Sequence, residues 1–402
     1  MFVNPKNPLL MTDKIYYTDS YQTSFTSIVE EQKTTPEGTW IKFPATIFYP
    51  GGGGQLPDKG LINEADLDLV KEDAGEIWHL VKNGNEMIVD SEVSLKLDWD
   101  WRYYNMQQHS GQHLISHVLW EHHLKTVSVH LGESYTLIEV EGTYPDDKMI
   151  QTVENETNQL IRDARPMKAY WVDRETIDKL PLRKPAGDWD NLRIVEIEGL
   201  DYSACGGTHV RNTAEIGLVK CVGTEKIRGH ARLKFVIGPR AYEYLNQLHD
   251  INTDLKLNLQ TDPDQFITKI ESLRAELSEK KKETEFYRNE FIISQSNRLA
   301  SEYSDSDQPV VIEVREGIYD DWKYIAKLLA NDHNKLVFIV FENRFVLTAP
   351  EHHPFNTVDF MKQFGPELKL KGGGPQGFVQ GSLESANMEN VKTAISNYIN
   401  IL

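Results

Sequence analysis

Two pairs of residues, each four apart, place the tightest demand on how this chain folds. His109 and His113 lie in Asn105 to about Leu124, where Met106, Leu114, Val118 and Leu119 are spaced to share one helical face, so both imidazoles project from one side of a predicted helix. Cys205-Gly206-Gly207-Thr208-His209 sets a thiol and an imidazole four apart around two glycines, which allow a tight turn to aim both at one point. Each pair is a half-site of metal-ligand spacing, and a fold that used both would have to bring together segments nearly a hundred residues apart. A sulfur and imidazole set suits Zn2+, one ion per chain. A Cys–His nucleophile is the competing chemistry, and four protein ligands would equally suit a structural ion, since a catalytic one keeps an exchangeable position.

Only two cysteines occur in 402 residues, Cys205 and Cys221, too few for a disulfide framework, which fits a reducing compartment. Cys221, in an apolar strand, reads as core. The amino terminus lacks a basic start followed by an apolar run, and no apolar stretch is long enough to span a bilayer, so a cytoplasmic location is expected. A formal net charge of −18 argues against binding nucleic acid by bulk charge, so any RNA contact must be local.

The predicted fold class is α+β in four parts. Residues 1–100 read as a barrel-like, β-rich domain, with strands such as Thr39–Phe43 and Glu76–Val81 broken by glycine runs and the Asn83-Gly84 turn signal. Residues 101–246 mix the ligand helix, a helix near Met149–Ala164, and strands at Tyr135–Glu141, Leu192–Gly199, Ile216–Val222 and Leu233–Ile237. Residues 247–305 read as a helical linker starting at Thr261-Asp262-Pro263, with apolar residues at Phe266, Ile270, Leu273, Leu277, Tyr287 and Phe291, a coiled-coil-like seam interrupted by Lys280-Lys281-Lys282 and Thr284. After Ser304-Asp305-Ser306-Asp307, residues 306–402 read as a small α/β domain: strands Val310–Val314, Leu336–Phe341 and Arg344–Ala349, helices near Trp322–Leu329 and Asn387–Asn400, and a glycine-rich loop at Gly372-Gly373-Gly374.

A third element is Phe48-Tyr49-Pro50 followed by Gly51-Gly52-Gly53-Gly54-Gln55, where bare backbone approaches a ligand, a bound chain or another strand. Together with Met106-Gln107-Gln108-His109-Ser110-Gly111-Gln112-His113, Ser128-Val129-His130-Leu131-Gly132 and Cys205–Val210, it resembles the freestanding alanyl-tRNA editing proteins of the AlaX type, long form, which share the editing and C-terminal regions of alanyl-tRNA synthetase. The resemblance covers nearly the whole chain. No stretch ahead of the editing motifs is long enough for an aminoacylation domain, so a corrector is expected instead of a synthetase.

The resemblance implies hydrolysis of the ester that joins serine, and secondarily glycine, to tRNA for alanine, with His109, His113, Cys205 and His209 as zinc ligands. It also implies Thr46 beside the amino-acid pocket, where a hydroxyl that bonds serine would discriminate against alanine. Gly52, Gly53, Gly54 and Gln55 are expected to bind substrate, and His130 and Gln112 to orient the ribose or water. In the terminal domain, Lys369, Lys371, Gly372 and Gly373 are expected to meet tRNA phosphates, as are Lys280 to Lys282. A homodimer through the linker or C-terminal domain is a further expectation. Two rival readings stand beside this one: a tRNA-binding module with a structural zinc, and editing of seryl-tRNA for threonine.

Overall fold

The computed structural model describes residues 11–402 except 83–87, 143, 186, 188, 228, 305–307 and 385–386. The Asn83-Gly84 turn signal and the Asp305–Asp307 boundary lie outside the described residues. The chain divides into two compact units, residues 1–254 and 255–402. Both mix helices and open sheets, in keeping with the α+β class.

In the first unit the early strands form two four-stranded sheets that stay open where a barrel-like wrap was expected. One orders strands 24–28, 92–97, 60–62 and 65–66, and the other strands 31–35, 38–42, 76–81 and 69–73. Strand Glu92–Leu97 shows the reason for its pairing face: Val93, Leu95 and Leu97 alternate with exposed polar residues, so one face enters a core of Ile41, Phe43, Ile47, Phe48 and Ile77. Asp98 then ends the strand and caps α1 (Trp99–Glu121) by accepting from the Trp101 amide.

Helix α1 lies on an antiparallel sheet ordered 126–131, 136–141, 230–237, 219–227, burying Leu114, Ile115, Val118 and Leu119 against Ile138, Val140, Leu233 and Phe235. Helix α2 (Asp147–Arg162) covers the same core through Val153 and Ile161. A three-stranded sheet of residues 167–173, 191–197 and 201–204 carries the short α3 (Arg174–Ile177) and delivers the chain to Cys205. Helix α4 (Pro239–Leu259) follows and runs unbroken through residue 246, where a domain boundary was expected.

Thr261-Asp262-Pro263 does mark a start: a 3-10 turn at Pro263–Gln265 leads into α5 (Phe266–Glu302). The second unit continues with α6 (Tyr319–His333), α7 (Thr357–Phe364) and α8 (Met388–Ile399) around a five-stranded sheet ordered 310–314, 337–341, 344–348, 378–383, 370–373. The expected glycine-rich loop is strand here. Gly372 and Gly373 end Leu370–Gly373 and pair with Gly381 and Gln380, and a Cβ on Gly372 would come 2.3 Å from the Gln380 carbonyl, so this strand can approach its neighbour only without a side chain. Among the described residues no helix is long and apolar enough to cross a membrane.

Candidate functional site

The two half-sites meet. His109, His113, Cys205 and His209 are all buried, and their donor atoms lie within 4.8 Å of one another. Cys205 Sγ stands 3.4 Å from His109 Nε2 and 3.3 Å from His209 Nε2, close to the roughly 3.6 Å that separates sulfur from nitrogen in a tetrahedral zinc shell. The three imidazole centroids are 4.4 to 5.0 Å apart.

The second layer fixes how the rings face. Gln55 Oε1 accepts from the Thr208 amide (3.0 Å) while Gln55 Nε2 donates to Thr208 Oγ1 (2.7 Å), so the amide orientation is set by Thr208. Because Oε1 only accepts, His109 Nδ1, 2.8 Å away, carries the proton and leaves Nε2 unprotonated toward Cys205. Ser110 Oγ lies 3.2 Å from His209 Nδ1 and accepts from the Val210 amide, tying α1 to the Cys205–His209 turn. Gly207 permits the closeness: a Cβ there would fall 2.2 Å from His109 Cε1.

Arg193, 1% exposed, donates through Nη1 to the carbonyls of Cys205 and Gly207, both at 2.9 Å, and packs its guanidinium 4.8 Å from the Tyr17 ring centroid. Burial pushes the Cys205 thiol up, against the Gly207 amide and the Arg193 charge, which favour the thiolate; burial pushes all three histidines down, His113 to about 3, and there neighbouring positive charge adds to the effect. The rings are therefore neutral, the form in which imidazole ligates. His113 Nδ1 is buried with no hydrogen-bond partner among the described residues. Neutral imidazoles, a buried thiol and an orphaned ring nitrogen together make a donor set that fits a metal ion such as zinc.

The set lies beside a cavity of about 410 Å³ whose walls include Gln112, His113, Cys205, Gly52, Gly53 and Lys184. Gln112 donates to Ser116 Oγ at 2.8 Å. Gly53 and Gly54, at φ 59° and 92°, form the tip of a two-residue turn closed by reciprocal Gly52–Gln55 backbone bonds. Beneath it, Asp58 accepts from the Tyr49 amide and from buried Arg102 of α1, whose Nε lies 2.9 Å from Oδ1, locking the loop to the ligand helix.

Several expected site residues fall elsewhere. Thr46 is wholly buried and absent from the cavity wall. Its hydroxyl bonds His79 Nε2 at 2.9 Å and accepts from the Phe48 amide, so no lone hydroxyl faces an amino acid. Gln55 does not contact the cavity but orients His109, and Gly54 turns toward the Val129 carbonyl. His130 is exposed on its strand, one residue beyond Val129, which does line the cavity. Lys369 and Lys371 belong to the second unit, both exposed, with Lys371 paired to Glu384 at 2.7 Å. Sequence reasoning missed Arg193, although an arginine inside the apolar strand Asn191–Ile197 was a signal that something buried required a charge.

The family described as "Threonyl and Alanyl tRNA synthetase second additional domain" matches residues 192–232, the stretch that carries Cys205 and His209. The chain is 27% identical to the alanyl-tRNA editing protein Aarsd1-A of Xenopus laevis, over 87% of this chain and 86% of that protein. It is 28% identical to an alanine–tRNA ligase of Saccharolobus islandicus over 90% of its own length but only 41% of the ligase. The fold and its site define an aminoacyl-tRNA deacylase, a hydrolase. Identity reaches 30% with the alanyl-tRNA editing protein AlaX-L of Pyrococcus horikoshii, over 96% of this chain and 98% of that one, and the chain belongs to that family of alanyl-tRNA editing proteins.

Proposed function

We propose that the protein works in trans in the cytoplasm, hydrolysing the ester of serine, and of glycine second, on tRNA for alanine, at one zinc ion held by His109, His113, Cys205 and His209. The convergence of two distant half-sites beside an open cavity carries this reading. Zinc, when bound, supplies a Lewis acid that polarises a carbonyl or a water. The protein's own part is to hold the donors still: Gln55 fixes the His109 tautomer, Ser110 the His209 ring, and Arg193 the turn between Cys205 and His209. Gln112, in the cavity wall, orients the ester or the attacking water, and Gly52 and Gly53 bring bare backbone to the substrate. His130, exposed next to Val129 of the cavity wall, is the group assigned to the terminal ribose, at the edge of the cavity.

Phosphates farther along the tRNA meet Lys280 to Lys282, Lys369 and Lys371 with the bare strand at Gly372 and Gly373. The second unit also favours a homodimer. On α5, Ile270, Leu273, Leu277 and Tyr287 are exposed, with Glu276 and Glu283 along one side of the seam and Arg274 and Lys281 along the other. Acid on one flank and base on the other pairs two copies in parallel.

Four protein donors fill a tetrahedral shell, which favours as second reading a binding module with a structural ion. Deacylation of seryl- and glycyl-tRNA for alanine, with seryl-tRNAs for threonine and serine as comparators, separates the readings. Selective release of serine from the alanine tRNA, lost on chelation from protein that stays folded, is expected. Equal activity on all three seryl-tRNAs defeats the specificity, and full activity without metal defeats the zinc role.

A further inference from the structure

The rim of the cavity holds a cation that the ligand set leaves unused. Arg183 and Lys184 both line the cavity, but their situations differ. Arg183 is tied down: its guanidinium pairs with buried Asp201, with Nη2 3.0 Å from Oδ2, and donates to Ser203 Oγ at 2.8 Å. Lys184 is exposed and has no ion-pair or hydrogen-bond partner among the described residues, and Pro185 narrows its backbone freedom. The acid in the same wall, Glu72, is already neutralised by Lys14 at 2.8 Å. Among the described residues the cavity wall therefore carries one uncompensated positive charge, on a segment anchored through Arg183, in a chain whose formal net charge is −18.

We propose that Lys184 binds the phosphodiester that joins the aminoacylated terminal nucleoside to the nucleotide before it. The inference rests on the deacylase reading. A cavity of about 410 Å³ is in the range that encloses one small ligand, here the aminoacyl nucleoside, so the chain of the nucleic acid must leave at the rim, and its first backbone charge falls there. An ammonium on a flexible stem is suited to that contact because it needs no fixed approach angle. The contact holds register and carries no base information, so it serves any acceptor end and discriminates tethered esters from free ones.

The test compares seryl adenosine, which has no phosphate, with the seryl ester of the dinucleotide cytidylyl-adenosine, which has one. Lys184→Met is expected to lower the ratio of kcat/KM for the dinucleotide over the nucleoside by about tenfold, the size of one charge-assisted hydrogen bond, and to flatten the salt dependence with charged tRNA by about one unit of slope. Lys184→Arg should keep the ratio within about twofold, since the charge remains. A ratio in Lys184→Met equal to that of the wild type overturns the proposal while leaving the deacylase reading intact. Wild-type protein inactive on both esters and on charged tRNA overturns the deacylase reading and this proposal with it.

Discussion

Helices α1 and α5 invert each other. Of the 23 residues of α1, 15 are buried, and many of these are polar: Gln107, Gln108, His109, Ser110, Gln112, His113 and Ser116. Of the 37 residues of α5, three are buried, Ile292, Ser296 and Leu299, while Ile270, Leu273, Leu277 and Tyr287 face solvent. A buried polar side chain costs free energy unless it is paired, and on α1 the members other than His113 serve partners: Gln107 the Glu215 carbonyl, Gln108 the Ile237 carbonyl, His109 Gln55, Ser110 His209, Gln112 Ser116. An exposed apolar row gains nothing until something covers it. The first helix is built around chemistry inside the chain; the second leaves an apolar row exposed, which the proposed dimer would cover.

Breaking the polar side of this contrast should have the largest effect. Cys205→Ala and His109→Ala are expected to abolish stoichiometric metal binding, read by elemental analysis, and to lower deacylation by more than about 100-fold, beyond the cost of losing an outer partner. Wild-type rates in either variant would remove the ligand set from the chemistry.

His79 tests burial without a metal. It is wholly enclosed and bonded to Thr46 and the Ile41 carbonyl, and burial pushes its pKa down from the ordinary 6.5 to about 4. Protonation then favours the unfolded chain, so its contribution is complete above about pH 6.5 and lost as the pH falls toward 4, by roughly 3 kcal/mol in all. In denaturant titrations over that window, His79→Gln should show a shallower decline than wild type, and parallel curves would contradict the assignment.

Gln55→Leu sharpens the role of the outer layer. It removes the acceptor that sets the His109 tautomer, and metal affinity by competition with a chelator should weaken about 10- to 100-fold. An unchanged affinity would mean that ring orientation is set by something else. On α5, Leu273→Asp with Leu277→Asp should convert a dimer into a monomer by light scattering, while each unit's stability moves by less than about 0.5 kcal/mol, as for ordinary surface changes. A wild-type chain that is already monomeric at micromolar concentration would break the contrast on its apolar side.

Local pattern made much of this legible. Strand Val310–Val314 and strand Glu76–Val81 follow from composition and length alone, and Thr261-Asp262-Pro263 announces the start of α5. Spacing also paired His109 with His113 and Cys205 with His209, because a separation of four is geometry that a short segment carries within itself. What spacing could not carry is partnership across the chain. The family resemblance implies for Thr46 a hydroxyl near a pocket, yet a histidine 33 residues away bonds it, and for Gln55 a substrate contact, yet Thr208, 153 residues away, turns it toward His109. Gly372 and Gly373 read as a loop until the strand at Phe378–Leu383 supplies the pairing. The sequence by itself determined which residues have ligand chemistry and which helix faces are apolar, since periodicity is encoded locally. Only the tertiary structure decided that two half-sites share one point, that Arg193 stands under it and that Lys184 in the cavity wall has no partner among the described residues, because burial and charge compensation are properties of neighbours that the fold, not the chain order, assembles.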